Sequence, residues 1–294
     1  MTNASEVSCR VLTIPGKNGL ALHGRHWAVA DPRGVVVVAH GFGEHGACYD
    51  HVARAVGPMA GVDFVAPDLR GHGLSPGRRG VIRNYDDLVD DLFSAVQWAA
   101  KERPGLPLFV LGHSNGGLLA LYAMLKAEAT GRLAGVVVSN PALKLAFPVP
   151  KAQVRLGKIL LRIAPWFTLP SPIVPENLTR DPVLQVWRRD DRLLHGRMSA
   201  PLFFGMREGS RLVSANAEKI RTPLLMILSG SDPVIDPNAS RDVFERLGSL
   251  DKTLLLFPAM LHEPFNEVGR EKVFADLASW LDARLIPDID LRPA

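Results

Sequence analysis

The sequence predicts an α/β protein built on a doubly wound, mostly parallel central sheet flanked by helices, with a helical segment inserted late in the sheet. Three observations predict it. Short aliphatic runs alternate with longer helical stretches, a hairpin precedes them, and one Pro- and Arg-rich stretch interrupts the alternation.

The hairpin comes first. Val11 to Ile14 and Leu20 to Val29 read as strands joined by the turn Gly16-Lys17-Asn18-Gly19. The aliphatic runs follow, at Val35 to Ala39, Val62 to Ala66, Leu108 to Leu111, Gly135 to Val138, Leu224 to Leu228 and Thr253 to Phe257. Continuous runs of this length suit strands buried on both faces, as in a parallel sheet covered by helices. Helices fill the gaps. Tyr85 to Lys101 has Asn84 as its cap and acids in its first turn, which complement the helix dipole. Asn115 to Glu128, Asn238 to Leu247 and Arg270 to Arg284 are the others. From about Pro141 to Arg221 the apolar residues take helical spacing. Residues 1–140 and 222–294 therefore read as the core, and 141–221 as a helical cap inserted between two core strands. Ligands of open α/β sheets bind at the carboxyl ends of strands, and an insertion leaving from such an end sits over that site.

A chain of 294 residues has room for one large domain with such an insertion. The net charge of +4 is dispersed and leaves no nucleic-acid footprint. Two cysteines, Cys9 and Cys48, suit a reducing compartment. Met1 to Glu6 has neither the basic start nor the apolar core of a signal peptide, and runs such as Gly34 to Ala39 are too short to span a bilayer. The expectation is a cytoplasmic protein whose membrane contact, if any, is peripheral. No metal-ligand spacing or phosphate-binding glycine loop points to a cofactor.

Gly112-His113-Ser114-Asn115-Gly116 matches the Gly-x-Ser-x-Gly elbow, in which a serine occupies a sharp strand-to-helix turn and glycines on either side remove clashing side chains. The helix that follows points its positive end at the oxygen where charge develops. A second match, Gly73-Leu74-Ser75-Pro76-Gly77, lacks both flanks. Pro76 also has no N–H to give to an oxyanion. Ser114 is therefore the candidate nucleophile of an α/β-hydrolase fold. The loop His40-Gly41-Phe42-Gly43 follows the Val35 run, where this fold places its second oxyanion donor. The amides of Phe42 and Asn115 are the candidate oxyanion hole.

The chain order of such a triad is serine, acid, histidine. Only His195 and His262 follow Ser114. His195 falls in the inserted segment, whereas His262 comes just after the last core strand, which makes it the candidate general base. Asp232 and Asp236 both follow the Leu224 run. Asp232 comes directly after the strand and its turn and is preferred as the acid, while Asp236 suits the cap of the next helix. In this scheme Ser114 attacks an ester carbonyl as His262 takes its proton. The acyl-enzyme is then hydrolysed by water that His262 activates.

With these residues in place, the chain resembles the monoacylglycerol lipase and lysophospholipase-like branch of the α/β hydrolases. The matching segments are His40 to His45, Asp68 to Gly77, Gly112 to Gly117, Leu178-Thr179-Arg180-Asp181-Pro182, Gly230-Ser231-Asp232 and His262-Glu263, in the family's order. The resemblance implies cleavage of single-chain lipid esters into fatty acid and glycerol. It also implies an apolar tunnel under the cap, and Glu44 and His113 as groups that bind the glycerol end. Two departures stand out. The family often has Arg, which helps set the polar pocket, where this chain has Cys48. It usually has Met where this chain has Asn115.

Gln153 to Ile163 is amphipathic, with Leu156, Ile159, Leu160 and Ile163 on one face and Lys151, Arg155, Lys158 and Arg162 on the other. Either the apolar face covers the active site, or it lies on anionic lipid with Trp166 and Phe167 beside it. Three functions remain open: a monoacylglycerol hydrolase, a lysophospholipase or general carboxylesterase of the same fold, and a hydrolase fold used only for binding.

Overall fold

The computed structural model describes residues 7–126 and 133–285. The central sheet has eight strands in the order β1-β2-β4-β3-β5-β6-β9-β10. They are β1 (Ser8–Pro15), β2 (Ala21–Ala28), β3 (Gly34–Ala39), β4 (Val62–Pro67), β5 (Leu108–His113), β6 (Leu133–Ser139), β9 (Leu224–Ser229) and β10 (Lys252–Phe257). β1 and β2 form the expected antiparallel hairpin, β2 joins β4 antiparallel, and every pairing from β4 to β10 is parallel. The protein is thus a mostly parallel α/β-hydrolase sheet, in which the order of strand addition reverses after β4, β5 being placed on the other side of β3.

β3, β4, β5 and β9 are buried along their whole length, as their aliphatic runs predict. β10 departs from that expectation and is largely half-buried. It is the sheet edge, so one of its sides has no neighbouring strand.

Helices α1 (Asp50–Ala60) and α8 (Arg270–Asp282) pack together on one face. The other face carries α2 (Asp86–Glu102) and α3 (Asn115–Lys126). The predicted end of α3 at Ala127 and Glu128 lies outside the described residues, as do Met1 to Glu6. α1 has no counterpart in the sequence reading. It tolerates Pro58 near its end and buries Val52, Val56 and Ala60, spaced four apart along one face. As expected, Asn84 accepts from the Asp86 amide at the start of α2, and Asp236 caps α7 (Pro237–Arg246).

Between β6 and β9 lie α4 (Lys151–Ile163), α5 (Pro182–Asp190) and α6 (Ala200–Ala215). The short antiparallel strands β7 (Thr168–Pro170) and β8 (Arg197–Ser199), which helical spacing did not anticipate, tie this segment together. α6 rests on α3. α4 touches α6 through Gly157, against the Phe204 ring. That contact decides the orientation of α4. Leu156, Ile159 and Ile163 are 43 %, 54 % and 68 % exposed, so most of the apolar stripe faces outward and does not cover the active site. Only Leu160 of the stripe is half-buried. Trp166 and Phe167 are exposed beside it. Among the described residues, no helix is long and apolar enough to cross a membrane.

Candidate active site

Ser114 occupies the single residue between β5 and α3, at φ +51°. That left-handed conformation is strained for a side chain larger than glycine. It is held because the turn has no alternative room. A Cβ at Gly116 would stand 1.9 Å from the Ala39 carbonyl oxygen, and one at Gly112 would stand 2.3 Å from the Gly116 carbonyl oxygen. The Ser114 amide donates to Ser139 O at 2.9 Å, which fixes the turn to the end of β6. Ser75 of the second motif is buried, donates to the Asp68 carbonyl and accepts from the His23 amide, so its hydroxyl is taken up by loop structure.

The structure brings together the three residues singled out in order along the chain. His262 Nε2 lies 2.9 Å from Ser114 Oγ, and His262 Nδ1 lies 2.7 Å from Asp232 Oδ2. Asp232 Oδ1 accepts from the amides of Val234 (2.7 Å) and Ile235 (3.0 Å). Both carboxylate oxygens are thereby directed, one to the loop and one to the imidazole. Asp236 faces elsewhere, pairing with Lys144 at 2.9 Å.

Asn115 opens α3, so its amide is one of the first-turn donors that have no carbonyl within the helix. Its side chain turns away from the cleft and accepts from the Tyr85 hydroxyl at 2.8 Å. Phe42 lines the cleft together with Gly41 and Gly43, and its ring stands edge-on to His195, with centroids 5.8 Å apart. His195 is therefore at the site without reaching the triad. Its amide donates to Gly43 O at 3.0 Å, which ties the inserted segment to the loop that carries Phe42.

The cleft encloses about 250 Å³, and Gly41 to Glu44, His113, Ser114, Arg188, His262 and Glu263 are among its walls. Burial and the neighbouring His262 push the His113 imidazole down to about 3, so it is neutral, and its Nδ1 lies 3.2 Å from Ser139 Oγ. Glu44 is buried. Its Oε2 accepts from the Gly41 amide (2.8 Å) and the Tyr49 hydroxyl (3.0 Å), and its Oε1 lies 3.2 Å from Arg188. Burial opposes its ionisation, but Arg188, His113 and the Gly41 amide outweigh burial and hold the carboxyl well below the usual range. Glu263 lies 2.7 Å from the same guanidinium and accepts from Asn266 at 2.8 Å. Burial, aided by repulsion from Glu44 and opposed by Arg188, leaves its carboxyl raised to about 7.

Arg188 and Asn140 were not evident in the sequence. Arg188 comes from α5, and no local motif marks it. It is the guanidinium beside Glu44, while Cys48 is buried behind it against a cavity of about 10 Å³, the size of one water. Asn140 sits at φ +41° just past β6 and spans the ends of two strands and the His262 loop. Among the described residues, Glu44, His113 and Glu263 are the group whose ligand atoms lie within 4.8 Å of one another, as a metal would need. Arg188 supplies the positive charge between the two carboxylates.

The chain is similar to known proteins over most of its length. Residues 30–269 match the family described as "Serine aminopeptidase, S33". A monoacylglycerol lipase of Mycolicibacterium smegmatis is 34 % identical over 87 % of this chain and 90 % of its own. Phospholipase YtpA of Bacillus subtilis is 29 % identical over 87 % of this chain and 98 % of its own. The crystal structure of a Paleococcus ferrophilus monoacylglycerol lipase superposes with a TM-score of 0.80, at 30 % identity, over 90 % of this chain and 99 % of that one. The chain belongs to the Serine aminopeptidase, S33 family of α/β hydrolases, in its monoacylglycerol lipase-like branch, and is a hydrolase of the serine esterase type.

Proposed function

We propose that this protein hydrolyses monoacylglycerols to fatty acid and glycerol through an acyl-enzyme on Ser114. The observation that carries the mechanism is the Ser114–His262–Asp232 relay, with both hydrogen bonds under 3 Å. His262 takes the Ser114 proton as the hydroxyl attacks the ester carbonyl. Asp232 holds the imidazole with Nδ1–H toward the carboxylate and stabilises the imidazolium. The amides of Phe42 and Asn115 receive the oxyanion. His262 then protonates the leaving alcohol and activates the water that releases the acid.

The substrate reading rests on the relatives named monoacylglycerol lipase and on the polar walls that Glu44 and His113 give the cleft beside Ser114. The segment at residues 141–221 acts as the cap. The outward stripe of Leu156, Ile159 and Ile163, with Trp166 and Phe167, supports peripheral docking on a membrane surface, in keeping with the cytoplasmic location expected from sequence. The relative named phospholipase supports a second reading, hydrolysis of lysophospholipids by the same relay.

The test is hydrolysis of 1-monoacylglycerols of graded chain length, beside acyl-matched lysophospholipids and p-nitrophenyl esters, with Ser114→Ala as control. Monoacylglycerol cleavage that disappears in the variant is the expected result. Cleavage of the activated esters alone would remove the substrate assignment while leaving the relay intact.

A further inference from the structure

The polar end of the cleft holds two carboxylates and one guanidinium. Glu44, Arg188 and Glu263 side chains are all at least 92 % buried, being 4 %, 8 % and 4 % exposed. The other cation on the wall, Arg189, is half-exposed at the rim and already paired with Glu176. One buried positive charge therefore serves two buried carboxylates. The raised Glu263 carboxyl reflects the same shortage, because burial and Glu44 both oppose its ionisation. Every donor on Arg188 that the structure pairs is directed at Glu44 or Glu263, so it has little to offer an incoming anion.

We propose that Arg188, Glu44 and Glu263 form a charge filter that admits uncharged hydroxyl-bearing head groups and excludes anionic ones, so that phosphate-bearing single-chain lipids are poor ligands of this site. The inference deepens the monoacylglycerol reading and rests on it for the placement of the head group. Hydroxyls suit the cluster because each can donate to a carboxylate oxygen without bringing charge. A phosphate has only acceptor oxygens and brings further negative charge into a site of low dielectric. Arg188 lies on α5, whereas Glu44 and Glu263 flank the triad on the core. The filter is therefore complete only while the cap segment is seated. Specificity of this kind acts by repelling the wrong ligand as well as by holding the right one.

The experiment uses two non-hydrolysable ethers, 1-O-hexylglycerol and 1-O-hexylglycerol 3-phosphate, as competitors of p-nitrophenyl butyrate turnover at pH 8. Wild type, Glu263→Gln and Arg188→Met are compared, and monoacylglycerol hydrolysis is followed in parallel. Wild type should bind the neutral ether at least about tenfold more tightly than the phosphate. Glu263→Gln removes a negative charge and should narrow that ratio, whereas Arg188→Met removes the buried positive charge of the cleft wall and should widen it. A purely structural role would weaken both ethers alike and leave the ratio unchanged. Equal inhibition by the two ethers in wild type, or a ratio that neither variant moves, would overturn the filter. If the ratio behaves as expected while monoacylglycerols are not cleaved, the filter stands and the substrate assignment is what fails.

Discussion

The side-chain amide of Asn140 donates to the backbone carbonyl of His262 at 2.6 Å, across 122 residues of sequence. The same side chain donates to Ser229 Oγ and accepts from the Ser229 amide, each at 2.9 Å. It therefore stitches the carboxyl ends of β6 and β9 to the loop that presents the imidazole. Asn is among the few residues other than glycine that enter the left-handed region readily, and Asn140 does so while making three buried hydrogen bonds.

Asn140→Ala should lower kcat by about 10- to 100-fold and cost roughly 2–3 kcal/mol of stability, because it leaves buried partners unpaired and keeps the strain. Asn140→Gly relieves the strain without restoring the bonds. A thermal melt should therefore place it above the alanine variant, while its kcat stays equally low. Full activity in either variant would show that the His262 loop holds its place without this side chain.

Asp232→Asn should retain the fold and lose about four orders of magnitude in kcat, since an amide that donates toward Nδ1 favours the wrong imidazole tautomer. Steady-state rates on a p-nitrophenyl ester, with circular dichroism as the folding control, measure this. Asp236→Asn, by contrast, should change kcat less than about twofold, since Asp236 caps α7 and pairs with Lys144. Similar losses in the two variants would remove the assignment of Asp232.

The buried carboxyl of Glu263 gives stability a defined pH dependence. Its folded value of about 7 lies above the ordinary 4.5, so the folded state binds more protons than the unfolded one between those limits. Its contribution is then fully present below about pH 4.5 and is lost as the pH rises through about 7. His113, pushed down to about 3 from 6.5, acts with the opposite sign, and its contribution is lost as the pH falls through that range. The clean observable is thus a difference. The melting temperature of wild type minus that of Glu263→Gln should fall steadily from pH 4.5 to pH 7.5. A difference independent of pH would refute the assignment.

Ile159→Asp and Trp166→Ala act on residues 54 % and 52 % exposed, so each should change stability by no more than about 0.5 kcal/mol. If α4 docks on lipid, both should weaken co-sedimentation with anionic vesicles by about fivefold or more and leave p-nitrophenyl butyrate hydrolysis unchanged. Unaltered sedimentation would leave the outward stripe without a membrane role.

Features encoded within a few adjacent residues were legible in the amino-acid sequence alone. The aliphatic runs named the strands of the parallel sheet because a strand buried on both faces is apolar at most of its positions. Gly112 and Gly116 marked Ser114 because a turn this tight leaves no room for a Cβ at those two positions. Chain order and the ends of strands then selected Asp232 and His262. What only the tertiary structure decided depends on residues far apart in the chain. Arg188 meets Glu44 across 144 positions, and no spacing rule links a residue of an inserted helix to a core loop. The periodicity of α4 showed that one side is apolar, but the contact of Gly157 with Phe204 determined which side is covered. Amphipathic spacing is a property of the helix, whereas burial is a property of what packs against it.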